Sequence, residues 1–438
     1  MSTSKKAISD KLIIFTRYPV PGKTKTRLIP DLGPAGAADV HRKLAENIIQ
    51  QGKIVKKQEN VNPEVCYTGG GVRQMQTWLG RDLSYVEQTD GDLGARMFSA
   101  IRRSLDEGSR RVVLTGTDIP GPVSGQIVKA VNALDKKDVV IGPATDGGYW
   151  LVGMKKPHNI FQGILWGKET VLSQTLKAAE EKRLSVELLA PRSDIDTVED
   201  LSEWSPDGDW KNPYLSVIIP VLNEDSRIGT IINRVMDVNA EIIVVDGGSN
   251  DKSVGLAKSL GVKVVESSRG RSSQMNAGAL AGSGNNLLFL HADTMVPENY
   301  ISLIFEALLD KQPVAGAFAF KTDMDNALMK FIELTANIRS HYLRLPYGDQ
   351  GIFMSKADFI RAGIYPEVPV AEDIFLIRNL KKFAKIKTIP ENSVTSARRW
   401  RKHGFFKTTF VNVVIFFGCY LGVKPEKLYS IYKRAWSR

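Results

Sequence analysis

An alternation of strands and helices that runs through the chain twice is the feature that most constrains its fold. The first half contains four short apolar segments with the character of buried strands: LIIFTRY, EVCYT, RVVLTGTD and DVVIGPA. Helical patterns lie between them, around residues 35–50, 93–107 and 123–135. The second half repeats the alternation with LSVIIPVLNE, EIIVVDGG, VKVVE and LLFLHAD. Strands that alternate with helices predict an α/β fold with mostly parallel sheets.

The two halves are separated by the segment WSPDGDWKNPY, which is dense in Pro, Gly and Asp and is typical of turns and linkers. A chain of 438 residues is also long enough for more than one domain. We therefore predict a first domain over residues 1–204, a linker over 205–213 and a second domain over 214–438. In both halves a buried strand leads to an aspartate, in RVVLTGTD and in LLFLHAD. This parallel suggests an internal repeat.

The composition, with 43% hydrophobic and 24% charged residues, is that of a soluble globular protein. The polar start MSTSKKAISD lacks the apolar core of a signal peptide. No apolar stretch reaches the roughly 18 residues of a spanning helix. Two distant cysteines, Cys66 and Cys419, indicate neither a disulfide framework nor a zinc site. We expect a cytoplasmic protein.

The net charge of +11 is unevenly distributed. Residues 378–438 hold fifteen lysines and arginines against two acids, so the first 377 residues sum to −2. A basic segment of this kind can bind nucleic acid, an anionic membrane or a diphosphate, or it can be a solvated face.

The second half carries acids where a ligand site is expected. Asp246 ends the apolar run EIIVVD, and Asp293 ends LLFLHAD. Buried parallel strands read as continuous apolar runs, and ligands in open α/β sheets bind beyond the carboxyl ends of the strands. One acid can hold a nucleoside and the other a divalent metal on a diphosphate. With the pair Glu372–Asp373 and the cluster Arg398–Trp400, this pattern indicates a sugar-nucleotide transferase.

An ordered series of motifs spans residues 214–438: VIIPVLNEDSRIGTIINRV, VVDGGSND, RGRSSQMNAGA, HADT, GDQGIFM, AED and RRWRKHG. The series resembles family 2 glycosyltransferases of GT-A fold. Within that family it is most similar to the subgroup named for arsenosugar biosynthesis, also called selenodomain-associated transferase 2. The resemblance implies transfer of a sugar from a nucleotide-diphosphate donor.

The resemblance assigns donor-binding roles to residues after the first two strands, at one helix start and in the basic cluster: Pro220, Asn223, Glu224, Asp246, Arg269, Arg271, Gln274, Asn276, Arg399 and Trp400. Arg398, Arg401 and His403 belong to the same basic cluster, which would bind acceptor and diphosphate. A turn between strand and helix is the alternative for Asp246, and an exposed loop for Arg269 and Arg271.

The resemblance makes Asp293 the ligand of Mg²⁺ or Mn²⁺, which take oxygen ligands. His291 stands at the first position of the family's Asp-x-Asp, and a packed histidine at a strand end is the alternative to a ligand. Asp373 would be the general base, with Glu372 the next candidate. One base without a nucleophile implies inversion at the anomeric carbon. First-turn acids also stabilise a helix dipole, which is the alternative for this pair.

The first half has its own motif series over residues 11–203: FTRYPVPGKTKTRLIPDLGP, DLGARM, GTDIPG, ATDGGYWLVG, ILWGKETVLSQT and DIDTVEDL. It resembles a domain family of predicted GT-A transferases called selenodomain-associated transferase 1. That family is distantly related to nucleotidyltransferases of the molybdenum-cofactor guanylyl type.

This second resemblance also implies site residues. A glycine-bearing loop with cations can cradle phosphates, and its members are Gly22, Lys23, Lys25 and Arg27. The metal ligands would be Asp118 and Asp196, and the acceptor pocket would be Asp146, Gly147, Gly148 and Tyr149. The alternatives are a hairpin turn at Asp146–Gly148 and a helix cap at Asp196.

We therefore expect two tandem GT-A-like domains, the second an inverting, metal-dependent glycosyltransferase. The first is a second sugar-nucleotide transferase, a nucleotidyltransferase that makes the donor, or a non-catalytic nucleotide-binding module. A dinucleotide oxidoreductase is disfavoured because GxGxxG is absent.

The expected partners are a nucleotide sugar and an unidentified small-molecule or lipid acceptor, without nucleic acid. The apolar run Phe405–Val423 follows the basic residues Arg398–Lys402. This arrangement suggests peripheral membrane contact, and a packed C-terminal helix is the alternative.

Overall fold

The computed structural model describes residues 9–205 and 208–436. The chain divides into two compact units, Met1–Gly208 and Asp209–Arg438, and this division falls inside the predicted linker. Residues 1–8, 206–207 and 437–438, which belong to the predicted domains and linker, lie outside the described residues. The domain limits themselves stay a prediction.

The first unit is built on one mixed sheet. Within residues 9–205 its strands are β1 (Asp10–Arg17), β2 (Val61–Thr68), β3 (Ser84–Glu87), β4 (Val112–Thr115), β5 (Val139–Pro143), β6 (Tyr149–Met154) and β7 (Val186–Leu188). Its helices are α1 (Ile29–Glu59), α2 (Val72–Leu79), α3 (Leu93–Asp106), α4 (Ser124–Ala133), α5 (Val171–Glu181) and α6 (Val198–Trp204). The strand order is β3-β2-β1-β4-β6-β5-β7.

The second unit is also built on one mixed sheet. Within residues 208–436 its strands are β8 (Leu215–Val221), β9 (Ala240–Asp246), β10 (Lys263–Glu266), β11 (Asn286–Phe289), β12 (Thr294–Met295), β13 (Val314–Thr322), β14 (Ile352–Ser355) and β15 (Lys385–Thr395). Its helices are α7 (Ile228–Val235), α8 (Ser253–Ser259), α9 (Arg271–Ala281), α10 (Tyr300–Leu308), α11 (Ala327–Tyr342), α12 (Lys356–Arg361), α13 (Glu372–Leu380), α14 (Arg398–His403), α15 (Phe405–Tyr420) and α16 (Pro425–Trp436).

The two sheets share one topology. The second has the order β10-β9-β8-β11-β14-β13-β15-β12, which repeats the first order and adds β12 at one edge. In each sheet the first four strands of this order are parallel and the next is antiparallel to its neighbour. The predicted α/β fold with mostly parallel sheets is confirmed. Asp118 after β4 and Asp293 after β11 consequently occupy equivalent places.

Close packing of α9 on the sheet brings the start of that helix to the carboxyl edge. Ile243, Val244 and Val245 of β9 are fully buried, as expected for a strand covered on both faces. A Cβ atom at Gly278 would lie 2.5 Å from Cγ2 of Ile218 in β8. Only a glycine lets the helix backbone approach this closely, so Arg271, the first residue of α9, lies near the strand ends.

The C-terminal helices pack beside α13. Ile374 of α13 shares an apolar cluster with Val411 and Ile415 of α15 and with Leu428 of α16. A packed C-terminal helix, which is the alternative predicted for the apolar run Phe405–Val423, therefore describes one face of α15. Among the described residues, none of the helices combines the length and apolar character needed to cross a bilayer.

Candidate active sites

The loops after β8 and β9 interlock at the carboxyl edge of the second sheet. The Asp246 carboxylate accepts hydrogen bonds from the backbone N–H groups of Gly248 at 3.0 Å and Ser249 at 3.1 Å. Asn223 has a φ of 57°, and its Oδ1 accepts from the N–H of Asn250 at 2.8 Å. The Asp246 side chain thus stabilises a turn between strand and helix, which was the alternative to a contact with the donor. Its contact with the nucleotide, like that of Pro220 in β8, stays a prediction.

An ion pair joins the first of these loops to the basic cluster. The Glu224 carboxylate accepts from Nη2 of Arg398 at 2.8 Å and from Nη1 at 3.3 Å. Two parts of the predicted donor site that lie far apart in sequence are therefore adjacent. In the same cluster the guanidinium of Arg399 lies 6.0 Å from the ring centre of Tyr432. The buried Nε1 of Trp400 has no hydrogen-bond partner among the described residues.

Gln274 and Asn276 make hydrogen bonds within the protein, and their predicted contact with the donor stays a prediction. The Gln274 amide donates to the backbone oxygens of Val221 at 2.9 Å and Val245 at 2.8 Å. The Asn276 amide donates to the oxygen of Tyr365 at 2.8 Å and accepts from its N–H at 3.0 Å. Both side chains are buried and satisfied within the protein. They position α9, whereas Arg269 and Arg271 at the helix start are exposed.

The pair at the start of α13 is buried, with Glu372 5% and Asp373 9% exposed. Oδ2 of Asp373 accepts a hydrogen bond from the N–H of Gly348 at 3.0 Å. A Cβ atom at Gly348 would lie 2.6 Å from Oδ2 of Asp373 and 2.7 Å from Nε2 of His291. Asp373, the base candidate, and His291 therefore both lie close to Gly348, where there is no room for a side chain. Oε1 of Glu372 lies 3.9 Å from Nη1 of Arg271.

The electrostatic environment of Asp373 suits proton transfer near neutral pH. Burial raises the pKa of Asp373 to about 7, the neighbouring Glu372 carboxylate adds to the rise, and Arg271 opposes it. Burial lowers the pKa of His291 well below its usual value, and Arg271 and Arg399 lower it further. His291 is therefore neutral at pH 7, and Asp373 is able both to take and to release a proton.

Asp349 is a site residue for which the sequence analysis assigned no role. Its buried Oδ1 has no hydrogen-bond partner among the described residues. Burial raises the pKa of Asp349, Arg339 opposes this, and the Asp293 carboxylate raises it further. Asp349 thus lies in the electrostatic field of the predicted metal ligand. The signal that could have revealed it is its place beside Gly348 in the motif GDQGIFM.

A divalent cation fits the oxygen donors at this edge. Asp293 and Asp349 offer two carboxylates, and Mg²⁺ or Mn²⁺ is often held by one or two carboxylates together with substrate phosphates. In the described part of the chain, no group of three or more His, Cys, Asp or Glu side chains could hold a metal without such a substrate.

In the first unit, Lys25 lies between the two predicted metal ligands. Its Nζ is 2.8 Å from Oδ1 of Asp118 and 3.0 Å from Oδ1 of Asp196. Oδ2 of Asp196 is 2.8 Å from Nη1 of Arg27. Burial opposes the charge, but Asp118 and Asp196 raise the pKa of Lys25 above its usual value. An ammonium group therefore lies between these two carboxylates, and the metal-binding role of Asp118 and Asp196 stays a prediction.

A cavity of about 280 Å³ opens beside this cluster. It is lined by cationic, hydroxyl and acidic side chains: Arg17, Lys23, Thr24, Lys25, Thr26, Arg27, His41, Asp118 and Asp196. The predicted phosphate-binding residues Lys23, Lys25 and Arg27 are thus brought together. Gly22, with a φ of 80°, makes the turn that precedes them.

The predicted acceptor segment forms the turn between β5 and β6. Oδ1 of Asp146 accepts from the N–H of Gly148 at 2.9 Å. Gly147 has a φ of 87°, and a Cβ atom there would collide with the backbone oxygen of Glu169. The Tyr149 ring packs edge-on against Trp166 with 6.3 Å between ring centres. The geometry is that of the alternative interpretation, a hairpin turn, and the acceptor role stays a prediction.

Two family models match the chain. Residues 53–168 match the family described as "Uncharacterized protein conserved in bacteria (DUF2064)". Residues 216–362 match "Glycosyl transferase family 2". The chain joins a DUF2064 domain to a family 2 glycosyltransferase domain. The predicted fusion is confirmed, with the glycosyltransferase domain holding Asp246, Asp293 and Asp349 inside the matched residues.

Individual proteins and solved structures are also similar to parts of the chain. An uncharacterized glycosyltransferase of Haemophilus influenzae is 24% identical over 231 residues, 49% of this chain and 90% of its own length. One from Rickettsia typhi is 45% identical over 51 residues, 12% of this chain and only 18% of its own length. A solved structure from Desulfovibrio desulfuricans G20, described as a "putative nucleotide-diphospho-sugar transferase", is 36% identical. That match covers 44% of this chain and 84% of the other, with a TM-score of 0.41.

Gly348→Ala should impair the glycosyltransferase domain, because the new methyl group would collide with Asp373 and His291. A displacement of about 1 Å at a reacting group can cost on the order of 10²-fold in rate. We expect the release of nucleoside diphosphate from a nucleotide sugar to fall by about that factor. Gly229→Ala is the matched control, because a Cβ atom there meets nothing within 4 Å. Equal rates for both variants would contradict the contact.

Lys25→Met should destabilise the DUF2064 domain, because Asp118 would lose its cationic partner while Asp196 would keep only Arg27. We expect the free energy of unfolding to fall by about 1 kcal/mol at pH 8, since Asp118 is half-exposed and solvent screens the pair. The loss should shrink only as the pH falls below the usual carboxyl pKa of 3.8. In the wild type Lys25 lowers the pKa of Asp118 against the effect of burial, so the stabilisation is present above the usual carboxyl pKa and is lost on acidification.

The measurement is urea unfolding of both proteins from pH 8 down to about pH 2.5, which passes below the usual carboxyl pKa. Lys23→Met removes the same charge from the same loop without touching the ion pairs, and serves as the control. A stability difference that does not change with pH would contradict the assigned role of Lys25.

Proposed function

We propose that the glycosyltransferase domain transfers a sugar from a nucleoside-diphosphate sugar to a hydroxyl group of an acceptor, with inversion at the anomeric carbon. The observation that carries the proposal is the buried Asp373, with a pKa near 7, beside Gly348 at the carboxyl edge of a family 2 domain. Arg271 supplies positive charge for a diphosphate, and Asp293 and Asp349 would bind it through a cation.

In the proposed reaction Asp373 takes the proton of the acceptor hydroxyl. The acceptor oxygen bonds to the anomeric carbon as the bond from that carbon to the diphosphate oxygen breaks. The electron pair of the broken bond leaves with the nucleoside diphosphate, and one inversion results because no side chain forms an intermediate. The hydrogen bond from the N–H of Gly348 holds Oδ2 of Asp373 and leaves Oδ1 to accept the proton.

The diphosphate would be held by guanidinium groups, which suit phosphate oxygens. Arg271 at the start of α9 and Arg399 in α14 are the candidates, and both act electrostatically on His291. Arg398 fixes the loop of Glu224 and so supports the nucleoside end. Trp400 would close the donor site with its ring.

Asp293, together with Asp349, would hold Mg²⁺ or Mn²⁺. When bound, the cation neutralises charge that develops on the leaving diphosphate.

For the DUF2064 domain we propose binding of a nucleoside phosphate in the cavity around Lys25. The cations Arg17, Lys23 and Arg27 that line the cavity support this proposal. The reaction would be sugar transfer or nucleotidyl transfer that makes the donor, which would make the chain bifunctional. A non-catalytic nucleotide-binding module is the alternative, because the motifs of this domain give no obvious general base.

The acceptor is a small molecule or a lipid. We propose a cytoplasmic protein that touches a membrane through its basic C-terminal segment, without nucleic acid as a partner.

Asp373→Asn should separate catalysis from binding. Positioned base catalysis contributes about 10²–10⁴-fold, so kcat should fall by that order while the donor Kd stays within a few-fold. In the wild type kcat should rise as the pH passes through about 7, because only the deprotonated carboxylate can take the proton. The variant should lose this pH dependence.

The measurement combines kcat from pH 5.5 to 9, donor Kd and Tm for both proteins. Glu372→Gln is the control for the neighbouring position. Near-normal kcat in Asp373→Asn, with only a lower Tm, would mean that the pair merely stabilises the start of α13.

Asp293→Ala should abolish donor turnover and weaken Mn²⁺ binding measured by electron paramagnetic resonance in the presence of nucleoside diphosphate. Asp118→Ala changes the equivalent strand position in the other domain and should leave this Mn²⁺ signal unchanged. Full turnover in Asp293→Ala, or full wild-type turnover in excess chelator, would refute the metal assignment.

A further inference from the structure

The outer face of α15 is apolar although it faces solvent. Its members recur at helical spacing: Phe406, Phe410, Val413, Phe417 and Tyr420. At about 100° per residue these positions fall within an arc of roughly 80°. Phe406 is 78% exposed, Phe410 69% and Phe417 57%.

The inner face of the same helix is already used. Thr408, Val411, Ile415 and Cys419 are buried against the body of the unit. A helix on a protein surface normally pairs one apolar stripe with a polar opposite face. Here both faces are apolar, so the outer face of α15 needs a cover that the described residues do not supply.

A second helix repeats this pattern. Leu328, Phe331, Leu334, Ile338 and Tyr342 of α11 are all exposed, and their spacing again places them on one side of the helix. Tyr347 lies against both helices. Its ring is 3.3 Å from the guanidinium of Arg339 in α11, and its centre is 6.3 Å from that of Phe416 in α15. The two apolar faces therefore belong to neighbouring helices.

Charge indicates what covers these faces. From Arg398 to Arg438 the chain has ten lysines and arginines and a single acid, Glu426. Lys402 and Lys407 flank the start of the outer face of α15, and Lys424 and Lys427 follow its end. Basic residues around exposed aromatic side chains match an anionic lipid surface. A second copy of the chain would bring the same positive charges together, which disfavours self-association.

We infer that the outer faces of α15 and α11 form a docking surface for an anionic lipid bilayer. The inference rests on the proposed membrane contact and names the surface that would make it. This surface includes α11, which lies outside the basic C-terminal segment. It also links the membrane to the site. Ile374 of α13, directly after Asp373, packs against α15, and Tyr347 directly precedes Gly348. The proposed lipid-binding helix α15 therefore packs against α13, which carries Asp373. Tyr347, beside both lipid-facing helices, adjoins Gly348, whose N–H donates to Asp373.

The test is co-sedimentation of the full-length chain with vesicles of phosphatidylcholine alone or mixed with phosphatidylglycerol. The test variant is Phe406→Ser/Phe410→Ser/Phe417→Ser. The matched control is Val238→Ser/Leu280→Ser/Ile360→Ser, which removes exposed apolar side chains elsewhere in the same unit. Tm and the rate of donor turnover are measured for each protein in parallel.

We expect the wild type and the control to bind the mixed vesicles at least tenfold more strongly than phosphatidylcholine, with binding that weakens in salt. The variant Phe406→Ser/Phe410→Ser/Phe417→Ser should keep its Tm, and its binding to the mixed vesicles should be at least tenfold weaker than that of the wild type. Failure of the wild type to bind mixed vesicles at low salt would overturn the inference. Binding of the test variant equal to that of the wild type would overturn it as well. A wild-type dimer that becomes a monomer in the test variant would also overturn it, because the cover would then be a second copy. Donor turnover reports the proposed transfer separately, so failure of either proposal is recognised on its own.

Discussion

Parallel pairing of the first strands is the constraint on which both sites depend. Since β8, β9 and β11 run in the same direction, the segments that follow them end at one edge of the sheet. That edge collects Asp246 and Asp293, which are separated by more than forty residues in sequence. The antiparallel β14 then brings its preceding turn, Gly348–Asp349, to the same edge because the strand begins where β11 ends.

The sequence was sufficient for the fold and for the acids at the strand ends. Continuous apolar runs predict buried parallel strands, and an acid at the end of such a run has to lie at the carboxyl edge. The same logic located Asp293, whereas the roles of Glu372 and Asp373 at the start of α13 came from the resemblance to the family. This logic could not locate Asp349, because this residue lies within a short turn that has no periodic pattern of its own.

Side-chain direction was the other property that the sequence could not supply. Gln274 and Asn276 follow two arginines at a helix start, where contact with an anion is a reasonable expectation. Their amides turn instead toward backbone groups of Val221, Val245 and Tyr365, which would otherwise be buried without partners. Lys25 was assigned to phosphate and Asp118 to metal, and only the three-dimensional arrangement reveals that they neutralise each other.

The equivalent strand positions of the two domains thus differ in electrostatic character. After β4, Asp118 is paired with an internal ammonium group. After β11, Asp293 acts electrostatically on another carboxylate, Asp349, and raises its pKa. The same topology therefore gives equivalent strand ends surroundings of different charge.

The repeated strand order also has a consequence for biosynthesis. A chain that contains the same topology twice can pair a strand with the counterpart of its intended neighbour, which is a known route to misassembly in multidomain proteins. Vectorial synthesis reduces this risk, because the first domain emerges and can close its sheet before β8 is made. The Pro- and Gly-rich segment between the domains then separates two successive folding events on the ribosome.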